Sequence, residues 1–76
     1  MIRELDRVVL TTPRSELGLV AGDIGTVVLV HEGGKGFEVE FVTLGGDTFA
    51  VTTLTARDLR PVDRNEIAHA RTVVAA

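Results

Sequence analysis

From Gly36 to Gly45 the chain reads Gly-Phe-Glu-Val-Glu-Phe-Val-Thr-Leu-Gly, and no other segment restricts the possible folds so strongly. Phe37, Val39 and Phe41 alternate with Glu38 and Glu40, a period of two that sends the apolar side chains to one face of a strand and the carboxylates to the other. Glycine clusters bound the segment, with Gly33, Gly34 and Gly36 before it and Gly45 and Gly46 after it, as tight turns require. An isolated hairpin is barely stable in water, so such a strand needs further strands and a covered apolar face. The chain must therefore build a sheet folded over a core.

The rest of the sequence supplies that sheet. Val, Ile and Thr account for 24 of the 76 residues, and β-branched side chains pack better on a pleated surface than on a helix. A first strand is predicted over about Asp6 to Thr11, ended by Pro13, with the polar stretch Pro13 to Glu16 opening a longer loop. The turn Ala21-Gly22-Asp23-Ile24-Gly25 feeds a second strand, about Gly25 to His31, and a hairpin at Glu32 to Lys35 leads to the third, about Gly36 to Thr43. A second hairpin at Leu44 to Asp47 leads to the fourth strand, about Thr48 to Leu54. Thr55 to Asp58 reads as a single 3₁₀ turn, and Leu59 to Val62 as a short closing strand with Pro61 at an edge. Long loop, hairpin, hairpin, 3₁₀ turn, closing strand is the order of an SH3-like barrel. The expected fold is thus all-β and five-stranded, one domain over residues 1–62, followed by a tail over 63–76.

Most catalytic chemistry finds no support. His31 and His69 are far apart, and neither has a second His or Cys nearby, where a zinc site needs three or four such ligands. Ser15, the only serine, lies in the polar loop without a G-x-S-x-G turn, and there is no cysteine. Glu38 and Glu40 share a strand face, whereas paired glycosidase carboxylates flank a groove from opposite sides. A phosphate loop around Gly34-Lys35 would need glycine where Leu29 stands and Ser or Thr where Gly36 stands. No enzyme activity and no cofactor or metal are expected. No apolar stretch approaches the roughly 20 residues that span a bilayer, and MIRELDRVVL lacks a signal-peptide core, so no membrane partner is expected. The absence of cysteine fits a reducing compartment.

Polymer ligands divide more finely. Nucleic acid requires cations for phosphates and aromatic faces for bases, but the formal net charge is −3, with a single lysine, no Trp, no Tyr and three Phe. Arg57, Arg60 and Arg64, with Lys35, make at most a small basic patch interleaved with Asp58 and Asp63. Grooves for proline-rich peptides need aromatic walls that this chain lacks.

The phrases Glu4-Leu5-Asp6-Arg7-Val8-Val9-Leu10, Gly22-Asp23-Ile24-Gly25-Thr26-Val27-Val28, Glu38-Val39-Glu40-Phe41 and Leu59-Arg60-Pro61-Val62 resemble a small bacterial family catalogued as domain of unknown function 4926. The resemblance covers about residues 2–62. It implies an SH3-like barrel and a cytoplasmic bacterial protein, and it carries over no catalytic residues. The Gly-Asp-x-Gly-x-Val phrase is also similar to KOW-type ribosomal and transcription modules and to the barrel of nitrile hydratase β subunits. That likeness makes a KOW-like nucleic-acid-binding barrel the alternative reading.

A surplus of apolar strand positions points instead to a protein partner. Val27-Val28-Leu29-Val30 and Phe49-Ala50-Val51 are apolar on both faces, yet a small barrel has one interior. Val28, Val30, Val42 and Phe49 (or Ala50) are predicted to face outward, with Glu38 and Glu40 as an acidic rim. Covering about 400 Å² of apolar surface contributes on the order of 10 kcal/mol before entropy costs. The cover is either the tail or another molecule. Asp63-Arg64-Asn65-Glu66 has the spacing of a helix capping box, and Ile67, Ala70 and Val74 then share one helical face, although Thr72, Val73 and Val74 disfavour helix. The expected function is a non-catalytic protein-interaction module, an antitoxin-like or regulatory partner or an accessory subunit. Its partner is expected to be another protein or a second copy of the chain.

Overall fold

A computed structural model describes residues 1–74 of the chain. Five strands follow in order: β1 (Arg7–Leu10), β2 (Ile24–His31), β3 (Gly36–Val42), β4 (Thr48–Leu54) and β5 (Leu59–Pro61). They form one antiparallel sheet in the order β4-β3-β2-β1-β5. This is the all-β, five-stranded arrangement of a small SH3-like fold. The edge strands β4 and β5 are not hydrogen-bonded to each other, so the curled sheet is not closed into a continuous ladder. Leu54 and Leu59, one from each edge strand, nevertheless meet in one core with Val8, Leu10, Leu19, Val27, Phe37, Val39 and Phe41. The alternation in β3 holds: Phe37, Val39 and Phe41 are buried while Glu38 and Glu40 are half-exposed.

Gly25 shows why the turn into β2 carries its particular residues. It pairs with Val8 of β1, and a Cβ there would lie 2.5 Å from a methyl of Val39, 3.0 Å from the Phe41 ring and 3.1 Å from the Glu40 carbonyl. Three strands close over a site with room for a hydrogen only.

The 3₁₀ element differs from expectation in place. It occupies Ser15–Leu17, in the first loop, and ends on Gly18 in the left-handed region (φ 74°). Thr55 to Asp58 is one turn closed by the Asp58 N–H donating to the Thr55 carbonyl at 2.9 Å. The Asp58 carboxylate accepts from the Thr55 N–H and hydroxyl and from Arg14, and the chain passes at once into β5. Those bonds, the Thr55 N–H foremost, hold the Asp58 carboxyl below its ordinary value despite some desolvation.

Of the two forms open to residues 63–76, tail or short docking helix, the described residues take the tail; positions 75 and 76 lie outside them. The capping contacts do form. The Asp63 N–H donates to Glu66 Oε1 at 2.7 Å, the Asn65 N–H to Asp63 Oδ1 at 3.0 Å, and the Glu66 N–H to the Asp63 carbonyl at 3.0 Å. They close a turn that does not propagate. Arg60 grips Glu66 with both terminal nitrogens (2.9 and 2.6 Å) and ties the turn to β5. Beyond it, Arg71 ties the chain to Asp23, and Thr72, Val73 and Val74 that follow are residues of weak helix propensity.

Candidate functional site: an outer sheet face and a strapped cleft

Two β-bulges decide what the outer face of β2–β3–β4 displays. In β2, Val27 pairs with Val39 and Leu29 with Glu38, so Val28 is the extra residue. In β4, Ala50 pairs with Phe41 and Thr48 with Val42, so Phe49 is the extra residue. A bulge reverses the facing of every side chain beyond it. Val30 is therefore opposite Phe37 and packs against the core, which corrects its assignment to the outer face; Leu29 takes the outward position. Phe49 is half-buried and packs against the core, its ring over Gly18, rather than standing on the outer face. Val28 and Val42 are exposed as expected, at 42% and 46%, and Leu29 and Val51 join them at 44% and 53%.

Glu38 and Glu40 do not form a rim. They sit on β3, the middle strand, between Leu29 and Thr26 of β2 and Thr53 and Val51 of β4. Each flank of the acidic ridge thus carries one aliphatic side chain and one threonine, Leu29 and Thr26 on β2 and Val51 and Thr53 on β4. Glu38 Oε2 accepts from the Thr53 hydroxyl and faces His31 Nε2 at 2.9 Å. The Thr53 bond first, then His31, hold the Glu38 carboxyl below its ordinary value, so that carboxylate is anionic at neutral pH. Glu40 accepts from the Thr48 hydroxyl at 2.6 Å.

The second region lies at the end of the barrel where the tail crosses. A cleft of about 640 Å³ runs between the barrel residues Leu19, Ile24, Phe41, Leu44 and Phe49 and tail residues 68–73. Arg71 holds the tail there: its Nε donates to Asp23 Oδ1 at 2.8 Å, and its Nη2 to Asp23 Oδ2 at 2.6 Å and to the Gly18 carbonyl at 2.9 Å. Burial pushes the Asp23 carboxyl up, but Arg71 and the Val20 N–H outweigh it and leave the value below normal. Nothing in the sequence announced this pair, because its members are separated by 48 positions and belong to no local pattern. Leu29 and Val51 stood within apolar runs already noted; only the bulge concealed which residues faced out.

Of the basic residues grouped by sequence, Arg60 is engaged by Glu66; outside that group, Arg14 and Arg71 pair with Asp58 and Asp23. Ser15 lies in the exposed 3₁₀ turn. Among the described residues there is no cluster of three His, Cys, Asp or Glu side chains able to hold a metal ion, and no helix long and apolar enough to cross a membrane.

Five antiparallel strands and a glycine-pinned turn into β2 define a small all-β domain. The chain belongs to the family described as Domain of unknown function (DUF4926), which matches residues 4–61. No curated protein and no solved structure matches it. The family match takes in the whole barrel, including Gly18 and Asp23, and ends before the tail that carries Arg71.

Proposed function

We propose that this protein is a non-catalytic interaction module that docks another protein on the outer face of β2–β3–β4. The observation that carries the reading is the side-by-side exposure of Val28, Leu29, Val42 and Val51 around an anionic ridge of Glu38 and Glu40. Scattered surface aliphatics are ordinary, but a grouped set of this kind marks an interface. The ridge adds direction: a partner must bring apolar side chains for the flanks and a cation or hydrogen-bond donors for the carboxylates. A bacterial cytoplasmic setting, and a role as an antitoxin-like or regulatory partner or as an accessory subunit, belong to the same proposal.

The test compares the wild-type chain with the double variant Leu29→Glu, Val51→Glu as bait in extracts of the native host, at matched folding by circular dichroism. A protein recovered at stoichiometric amounts with wild type and lost with the variant supports the outer face. Equal recovery by both baits, or no stoichiometric protein with either, overturns it. Salt-sensitive retention of the wild-type chain on heparin or RNA, unaffected by the two substitutions, transfers support to the nucleic-acid alternative.

A further inference from the structure

The contact between Arg71 and the barrel has the form of a ligand in a receptor. Its three acceptors are all placed by barrel backbone. Asp23 stands in a turn closed by its own N–H donating to the Val20 carbonyl, and its carboxylate accepts the Val20 N–H at 2.9 Å. The Leu10 N–H donates to the Asp23 carbonyl and the Gly22 N–H to the Leu10 carbonyl, which fix that turn to β1. Gly18 is held by its N–H donating to the Ser15 carbonyl and by its left-handed conformation. These contacts do not involve the tail, so the two carboxylate oxygens and the carbonyl are set before a guanidinium arrives. A planar fork fills such a socket, whereas an ammonium makes one contact at a time.

The remainder of the strap is weakly attached. From residue 67 to 74 the tail makes no backbone–backbone hydrogen bond. Ile67 and Val74 are 95% and 87% exposed, and Val73, two positions past Arg71, is the only half-buried residue between 67 and 74. The strap is held by one arginine and one aliphatic side chain, leaving Leu19, Ile24, Phe41, Leu44 and Phe49 to line an open cleft. The barrel wall of the cleft belongs to the part of the chain shared with the family, and its other wall, the strap, to the part beyond it.

We infer that this cleft is a peptide-binding site for a non-helical protein segment carrying an arginine followed two residues later by an aliphatic side chain, and that the tail occupies it in cis as a displaceable stand-in. A partner segment binds by placing its guanidinium against Asp23 and the Gly18 carbonyl and its aliphatic side chain in the cleft. It competes with a tail tethered close by, whose effective concentration is of the order of millimolar. The tail thus sets a threshold that only a better-matched or abundant segment crosses. This site adjoins the outer face at Val42, but its Asp23 and Gly18 socket does not involve Leu29 or Val51, so loss of a partner at those two residues leaves it untouched.

The full-length chain tests the inference, with a fluorescent synthetic peptide of residues 63–74 as probe and anisotropy as readout. Arg71→Ala in the protein releases the strap and should tighten binding of the intact peptide at least about ten-fold relative to wild type. Adding Asp23→Asn, which keeps an acceptor for the Val20 N–H but removes the charge, should abolish the gain. A peptide carrying Arg71→Lys should bind the Arg71→Ala protein about ten-fold more weakly than the intact peptide. This last comparison holds even if the Asp23 variant does not fold. The inference is overturned if Arg71→Ala binds the peptide no better than wild type, or if the lysine peptide binds as well as the arginine peptide.

Discussion

The two apolar regions of this molecule face the same difficulty and meet it differently. At the end of the barrel, Leu19, Ile24, Phe41 and Phe49 are overlaid by the chain's own tail, clipped down by Arg71. On the outer face, Val28, Leu29, Val42 and Val51 have no such cover among the described residues. The electrostatics differ in parallel. Asp23 is matched by a guanidinium within the chain, whereas the carboxylates of Glu38 and Glu40 receive only hydroxyls and a histidine. A surface whose charge is answered internally can close on itself. One whose carboxylates meet only hydroxyls and an imidazole still offers attraction to another molecule. The regions meet at Val42, which lies on the outer face and also borders the cleft.

The most disruptive way to break the comparison is to remove the support common to both regions. Gly25 follows Ile24, which lines the cleft, and lies against Val39, whose chain neighbours are Glu38 and Glu40. Gly25→Ala forces a methyl to within 2.5 Å of Val39 and toward a backbone carbonyl that cannot swing aside. Overpacking of this kind costs about 2 to 3 kcal/mol. In a domain of this size that lowers Tm by roughly 10 to 20 °C. Thermal and urea unfolding followed by circular dichroism measure it; an unchanged midpoint would show that the strands can part at no cost and that neither region is firmly held.

The same glycine shows how far the sequence could be read. Its place in Gly22-Asp23-Ile24-Gly25 marked the entry to a strand, and the alternation from Phe37 to Phe41 gave the buried face of β3, because turn chemistry and period-two patterning are local properties. The bulges at Val28 and Phe49 were not legible. A run such as Val27-Val28-Leu29-Val30 is apolar in either phase, so only pairing with β3 decides that Val30 turns inward. The choice between tail and helix for residues 63–74 was open for a related reason. The capping contacts of Asp63 and Glu66 are local and do form, whereas the continuation depended on Arg71 finding Asp23 across the fold.

A middle-sized effect separates the strapped region from the barrel beneath it. Arg71→Ala removes three charge-assisted hydrogen bonds from a partly exposed site and should lower stability less than Gly25→Ala does, leaving the barrel folded. Asp23 reports the change. Its folded value lies below the ordinary 3.8, so the pair contributes fully above that value and is lost as pH falls through the lowered one. Without Arg71 the desolvation that opposes it is left with less to balance, and the carboxyl midpoint followed by NMR should rise. A midpoint unmoved by the substitution would mean that the strap is not held through Asp23.

A smaller effect concerns the turn at the root of the strap. Glu66 is lowered from 4.5 to about 2, first by the Arg60 guanidinium and then by the Asp63 N–H. The Arg60–Glu66 contact should therefore be complete above pH 4.5 and persist on acidification until pH approaches about 2. Arg60→Ala should return the Glu66 midpoint toward 4.5, with little change in the unfolding curve because both groups lie at the surface. An unaltered midpoint would remove Arg60 as the reason that the capping turn stays tied to β5.

The least effect on stability is expected on the outer face, and there its smallness is informative. Val51 is 53% exposed and pairs across the strands with Glu40, so Val51→Lys gives up little burial and sets a cation beside a carboxylate. Stability should change by less than about 0.5 kcal/mol in either direction. A protein that docks on the apolar flanks should nevertheless lose most of its affinity, because an ammonium now stands where it needs an aliphatic surface and the ridge is partly neutralised from within. The pairing of unchanged unfolding with lost binding distinguishes a surface kept for a partner from one kept for the fold. If Val51→Lys instead destabilised the chain by several kcal/mol, the outer face would be part of the protein's own packing, and the contrast with the strapped cleft would disappear.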